Sequence, residues 1–290
     1  MQYKGYILYS SADVPKNQWF ISHMIEKAAE KNISLSLKLT ADSIPADVDF
    51  IINRSRNYSV CEFAENQKIP VFNSSHVTKI ANDKDLTYRE MEKISVPFLP
   101  YITVNISNPD QSSYAGILSC ASAFGYPFVS KPADGHGGNH VILIKDENDL
   151  IKELDLLTEN SKTSYTYNKL IFQKCAATLG KDLRVYLLAG KIVCGILRES
   201  NNDFRANFSL GGKSKVHTLS YEEQELISKI NDFFPSDLIG VDLIYDGAKP
   251  IFNEIEDAVG CRMLYANTDL DIIDMYLDHI KSILDENKKP

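Results

Sequence analysis

Apolar positions along this chain recur with two different periods, and the period changes from segment to segment. Residues 4–10 (KGYILYS) read as a strand and 17–31 as a helix, while 33–39 (ISLSLKL) alternate apolar with polar as a half-buried strand does. Short apolar runs at 48–53 (VDFIIN) and 70–73 (PVFN) flank a helical stretch near 59–67. Strands alternating with helices predict an α/β layer around a largely parallel sheet. A helical pattern fills 74–94, where Asn82 or Asp83 is placed to cap the second half, and Val96-Pro97 ends it. The texture then changes to strand 101–104, helix 112–124, strand 127–131, a glycine loop at 135–138, strand 140–144 and helix 147–157. Beyond 170 come two hairpins, 183–200 turning at Ala189-Gly190-Lys191 and 238–257 turning at Asp246-Gly247. Residues 221–234 and 268–287 read as helices. No GxGxxG follows the first strand, so a dinucleotide fingerprint is absent.

Composition narrows the classes. A chain of 290 residues suggests two domains or three small ones. With 44% hydrophobic and 24% charged residues it is of globular type. A net charge of -8 argues against a chain built mainly to neutralise nucleic-acid phosphates. No apolar run approaches the roughly 18–20 residues of a membrane helix, and the N-terminus lacks a leader's apolar core and cleavage site. A cytoplasmic protein without membrane or nucleic-acid partners is expected, with a homo-oligomer left open. The five cysteines are far apart with no CxxC pair, which fits reduced core thiols.

The richest segment is 239–257. Side chains two apart on a strand share a face, so Glu254 and Glu256 point the same way. A five-residue loop at 246–250 would set Asp242 directly across from Glu254. Like charges facing each other across a sheet are destabilising. A divalent cation would offset that repulsion, and hard oxygen ligands suit magnesium shared with nucleotide phosphates. The alternative is a solvated edge with its acids turned to water.

Basic groups are placed to complement it. Lys131 ends the strand YPFVSK and leads into the glycine-rich ADGHGGNH, an arrangement that can set an ammonium beside phosphates under a loop. A plain surface turn is the competing reading, and the His136/His140 spacing carries no metal meaning in a loop. Arg184 and Arg198 fall in otherwise apolar strands, and buried arginine is costly unless it meets an anion. Phosphate or carboxylate would serve, as would internal pairing to Asp182, Glu199 or the acidic hairpin. Arg205 follows, with Asn207 two residues on as a neutral donor or a loop cap.

Taken in order, NDKDLT (82–87), YPFVSKPADGHGG (126–138), GKDLRVYLLAGKIV (180–193), DFRANFSLGG (203–212) and GVDLIYDGAKPIFNEIED (240–257) resemble the ATP-grasp ligases, in the branch of the ribosomal-protein glutamate ligase RimK and its lysine-biosynthesis relatives. The resemblance spans roughly residues 70–285. It implies an α/β and α+β protein. An N-terminal pre-ATP-grasp α/β domain (1–80) precedes a central phosphate-covering subdomain (81–171) and a C-terminal subdomain with the magnesium site (172–290), the nucleotide lying between two sheets. It implies a carboxylate–amine ligase in which ATP phosphorylates a carboxylate and an amine displaces phosphate from the acyl phosphate. Small-molecule or peptide acids and amines would be the substrates.

Roles follow by the same resemblance. Lys84 and Lys131 look like phosphate contacts, Gln173, Lys174 and Cys175 like the adenine hinge, and Asp182 like a ribose contact, with Arg184 among the nucleotide-binding groups. Arg198, Arg205 and Asn207 look like the groups around the γ-phosphate and the tetrahedral intermediate. Asp242, Glu254 and Glu256 look like ligands of Mg2+, two ions expected and Mn2+ an admissible substitute. Arg262, Arg54 and Arg56 are substrate candidates, a solvated loop being as good a reading for Arg54 and Arg56. The chain departs from the family at Glu256 (usually Asn), at Ala258-Val259 (usually Ser-Pro), at Lys174 (commonly an acid) and at His140 (usually Gly). Two other functions compete: a phosphotransferase that stops at a phosphorylated small molecule, and a non-catalytic nucleotide-binding protein.

Overall fold

The computed structural model describes residues 2–40, 48–106, 111–138, 140–161, 167–200, 203–206 and 213–287. Its first layer is a parallel sheet in the order β2-β1-β3-β4, built from β1 (Tyr3–Tyr9), β2 (Ile33–Leu39), β3 (Phe50–Asn53) and β4 (Val71–Phe72). Helices α1 (Gln18–Glu30) and α2 (Tyr58–Asn66) connect its strands, as the alternation predicts. The helical pattern over 74–94 is two helices. α3 (Ser75–Ala81) ends at Asn82, and α4 (Lys84–Lys93) starts where the Asp83 carboxylate accepts from the backbone N–H groups of Asp85 and Leu86, at 3.0 and 3.2 Å. That cap puts Lys84 at the first position of α4.

A second sheet, β5-β8-β6-β7, is antiparallel and comprises β5 (Tyr101–Asn105), β6 (Phe128–Pro132), β7 (Ile142–Ile144) and β8 (Lys169–Lys174). Helices α5 (Gln111–Phe124) and α6 (Glu147–Ser161) belong to this region, and Leu150 and Leu154 of α6 join its core. β8 runs through 171, so the central sheet keeps its strand to Lys174.

The third sheet holds both hairpins, in the order β11-β10-β9-β12-β13. β9 (Thr178–Leu188) and β10 (Lys191–Glu199) form the first, β12 (Leu238–Asp246) and β13 (Lys249–Glu256) the second. The edge strand β11 (Lys213–His217) has no strong alternation, and the sequence pattern does not predict it. α7 (Tyr221–Phe233) opens with a Ser220/Glu223 capping box. The helix expected over 268–287 is shorter: a separate α8 (Arg262–Asn267) precedes α9 (Ile272–Asn287).

The parallel sheet does not close its core alone. Ile7, Phe50 and Met24 pack into one cluster with Tyr186 and Leu188 of β9 and with Ile273, Tyr276 and Ile280 of α9. Asn73, just past β4, bonds across this junction. Its amide donates to the carbonyls of Leu238 (2.8 Å) and Asp257 (3.1 Å), and its oxygen accepts from the N–H groups of Asp237 (2.8 Å) and Leu238 (3.2 Å). These bonds grip both ends of the acidic hairpin. Asn73→Ala should lower the unfolding free energy by about 2–4 kcal/mol, because buried backbone groups are left unpaired. The expected reading is a lower urea midpoint at unchanged slope, and a shift below about 0.5 kcal/mol would contradict it.

Candidate active site

The acidic hairpin realises the expected register by another route. Its turn is the two residues Gly247-Ala248, because Asp246 pairs with Lys249, rather than a loop of five. The extra residue is a bulge at Asn253, after which Asp242 faces Glu254 and Gly240 faces Glu256. One carboxylate oxygen from each of Asp242, Glu254 and Glu256 lies within 4.8 Å of the other two.

Two arginines lie among them. Arg184 stands opposite Asp242 on β9, and Arg198 stands opposite Asp182 on β10. Arg184 donates to Asp242 Oδ1 through Nε (2.7 Å), to Asp242 Oδ2 through Nη2 (2.6 Å), and reaches Glu256 Oε1 at 2.8 Å. Arg198 donates to Asp242 Oδ2 at 2.7 Å and to Asp182. Asp242 is 1% exposed. Burial opposes its charge, but Arg184 and Arg198 prevail and hold its carboxyl down to about 2. Asp182 goes the other way, lifted to about 6 chiefly by burial against the pull of Arg198. The burial of both arginines is thus met by internal acids, one of the two readings the sequence left open. Asp242 keeps spare acceptor capacity on Oδ1, and Glu254 and Glu256 keep more, so the donor set fits a hard divalent cation such as Mg2+.

A cleft of about 830 Å³, partly continuous with solvent, opens beside this cluster between the second and third sheets. Lys84, Lys131, Gln173, Lys174, Asp182, Arg205 and Glu254 line it, with apolar walls from Leu99, Val129, Leu179 and Ile244. Lys84 donates to the Gly135 carbonyl and lies 3.8 Å from Glu254 Oε2. Arg205 is held bidentate by Asp203 and donates through Nη1 to the carbonyls of Gly138 (3.1 Å) and Val141 (3.4 Å). The two cations therefore hold the glycine loop at both ends. His140, where the family has glycine, takes φ 53, in the left-handed region that glycine favours. His136 is driven down to about 2 by burial beside Arg56 and Lys84, and so stays neutral.

Other candidates sit elsewhere. Lys174 Nζ donates to the Phe124 and Gly125 carbonyls (2.5 and 2.7 Å) at the end of α5, so its charge caps a helix, and the residue also lines the cleft. Cys175 lies between the cleft-lining Lys174 and Ala176. Arg54 is no solvated loop residue: at 3% exposure it stacks on Phe20 and donates to the Val259 carbonyl at 2.7 Å. Arg56 meets Asp13 at 3.5 Å, and Arg262 is exposed at the start of α8. Asn207 lies outside the described residues. Tyr88 and Asn253 belong to the site although the sequence reading assigns a role to neither, Asn253 standing inside the last motif and Tyr88 just beyond the first. Lys131 donates to Tyr88 Oη (2.9 Å), Gln173 Oε1 (2.9 Å) and Asn253 Oδ1 (3.3 Å). The signal available for Tyr88 is its place one turn beyond Lys84 on the same face of α4.

The profile of the RimK-like ATP-grasp domain matches residues 103–280, more than half of the chain. The chain belongs to the RimK-like ATP-grasp family. It is 30% identical over 275 residues to the uncharacterized protein MG011 of Mycoplasma genitalium, covering 90% of this chain and 86% of that one. It is 25% identical over 247 residues to a probable alpha-L-glutamate ligase of Shewanella pealeana, covering 82% of this chain but only 51% of that protein. A D-alanine–D-alanine ligase of Bacillus anthracis, solved with ATP, shares the fold at TM-score 0.73 and 15% identity over 98% of this chain and 99% of its own. The expected ATP-grasp fold is borne out, and the protein is an ATP-dependent ligase of the RimK-like branch. Among the described residues, no helix is long and apolar enough to cross a membrane.

Burial of Lys131 lowers its ammonium pKa to about 8. Phosphate favours the charged form, so a nucleotide bound with a phosphate oxygen at Lys131 would raise that value. Binding must then take up a proton above about pH 8 and none from this group well below it, with Lys84, also lowered by burial, adding to the uptake. Calorimetry of an ATP analogue in buffers of different ionisation heat should show uptake rising from about pH 7 to about pH 9. A flat profile would remove Lys131 from the phosphate site.

Proposed function

We propose that this RimK-like ligase joins a carboxylate to an amine through an acyl phosphate made at the expense of ATP, with ADP and phosphate released. The observation that carries the reading is the convergence, around one cleft, of Lys84, Lys131 and Arg205 with a three-carboxylate cluster. Phosphoryl transfer from ATP to a carboxylate brings two anions together, so the protein's task is positioning and charge cancellation. Lys84 and Lys131 neutralise phosphate oxygens. Arg205 and Asn207 direct donors at the oxyanion that grows as the amine attacks. Arg198 and Arg184 hold Asp242 and Glu256 in place.

Asp242, Glu254 and Glu256 would hold Mg2+, two ions in this reading with Mn2+ as a substitute, and the metal would supply charge neutralisation along the phosphates. The backbone at Gln173–Cys175 receives adenine, and Asp182 the ribose. The glycine loop excludes water from the acyl phosphate. No nucleophilic side chain is needed, because the covalent intermediate forms on the substrate.

The substrates in this reading are a small-molecule or peptide carboxylate and an amine; the name of the Shewanella relative specifies glutamate. Arg56 and Arg262 are accessible for a substrate carboxylate, and Arg54 shapes the Val259 turn from behind. The working division of the chain is 1–80, 81–171 and 172–290, and the working location is the cytoplasm.

The test is incubation of the protein with ATP, Mg2+ and a panel of acids and amines. ADP and free phosphate should appear together only with a true pair. Glu254→Gln should abolish that release while the melting temperature stays within a few degrees. Normal turnover by the variant would overturn the metal assignment, and a stable phosphorylated product without free phosphate would mark a phosphotransferase instead.

A further inference from the structure

A single hydroxyl ties together four elements around the cleft, and no motif names it. Tyr88 is fully buried on α4. A phenol has one proton and two lone pairs, and here all three are used. Tyr88 donates to the backbone carbonyl of Asn253 (2.9 Å) and accepts from Lys131 Nζ (2.9 Å) and Gln173 Nε2 (2.9 Å). Because the Gln173 amide nitrogen is spent on Tyr88, its oxygen faces Lys131 and accepts the second ammonium proton at 2.9 Å. The Tyr88 ring packs against Tyr101 (centroids 4.6 Å), Phe98 (5.2 Å) and the edge of Phe252 (6.1 Å), which leaves it no room to swing.

We propose that Tyr88 is a positioning residue for the nucleotide, its hydroxyl aiming the Lys131 ammonium into the cleft. The inference rests on the reading of Lys131 as a phosphate contact. An ammonium has three protons, and all three are engaged, by Tyr88, Gln173 and Asn253. A phosphate oxygen needs one of them. The Asn253 side-chain contact is the longest, at 3.3 Å, and is the one that yields. The two contacts at 2.9 Å are locked to each other through the Gln173–Tyr88 bond and stay. Tyr88 therefore acts on the loaded site as well as the empty one, and α4 delivers to the cleft both Lys84 and, four residues on, the residue that orients Lys131.

A double-mutant cycle tests this, with the affinity of a non-hydrolysable ATP analogue measured by calorimetry in EDTA so that the carboxylates play no part through metal. Tyr88→Phe should weaken binding about tenfold, the size of one hydrogen bond to a charged group. In a Lys131→Met background the same change should cost less than about twofold. Gln173→Met should show the same loss of effect in that background, which decides the matter should the Tyr88 variant fold poorly. If Lys131→Met alone leaves the affinity unchanged, the nucleotide reading of Lys131 falls and the inference with it. If Lys131→Met weakens binding but Tyr88→Phe costs as much in that background as in the otherwise unaltered protein, or tightens binding, Tyr88 is a packing residue and only the inference is overturned.

Discussion

Everything at the cleft depends on Asp242 being clamped between Arg184 and Arg198. Three carboxylates on one face of paired strands would repel one another in a dry site. Two guanidiniums from β9 and β10 offset that repulsion: Arg184 and Arg198 both bond Asp242, and Arg184 also reaches Glu256. Removing one member of such a buried cluster leaves an uncompensated charge, at a cost of about 3–5 kcal/mol. The clamp is therefore structural and chemical together: it makes the acids tolerable without metal and leaves them oxygens to spare for one. The opposite face of the same strands is apolar, where Leu183, Val185, Val241 and Leu243 pack with Ile227 and Ile230 of α7. The period of two separates the two faces.

The clamp alone would make an inert ion lattice. It becomes a site because α4 and the central sheet bring cations of a different kind to its edge. Lys131 and Lys84 are buried, lowered in pKa by that burial, and satisfied chiefly by neutral groups. Arg184 and Arg198 are bound to carboxylates and cannot easily turn to a ligand. The protein thus separates fixed cations, which hold the acids, from cations on neutral partners, which in the proposed reading would exchange those partners for phosphate oxygens. Lys84 and Arg205 also hold the glycine loop by its carbonyls, so a nucleotide that took their protons would reset the loop in the same step.

Much of the architecture is legible along the chain. The parallel layer, both hairpins, the break at Asn82–Asp83 and the glycine loop follow from periodicity and caps, and the ordered motifs carry the family. What escapes has physical reasons. β11 (KSKVH) is an edge strand without a buried face, so it leaves no apolar alternation to read. The helix expected from 268 begins only at Ile272, where Asp271 Oδ1 accepts from the Asp274 N–H (3.2 Å) and the Tyr265 hydroxyl (2.7 Å), a cap the apolar pattern does not record. Arg54 reads as a loop residue because its partners, Phe20 and Val259, are distant in sequence.

The register of the acids shows where local information ends. The chain by itself places Asp242 opposite Glu254, because side-chain alternation and the total residue count between them are local quantities. It assigns the extra residue to the turn, whereas packing puts it at Asn253 as a bulge, and that choice brings the Asn253 side chain to Lys131 and its carbonyl to Tyr88. Which anion each buried arginine meets, and which hydroxyl orients Lys131, were decided only when strands and helices far apart in sequence came together. A hydrogen bond or ion pair is a relation between two positions, and one-dimensional pattern records only the positions.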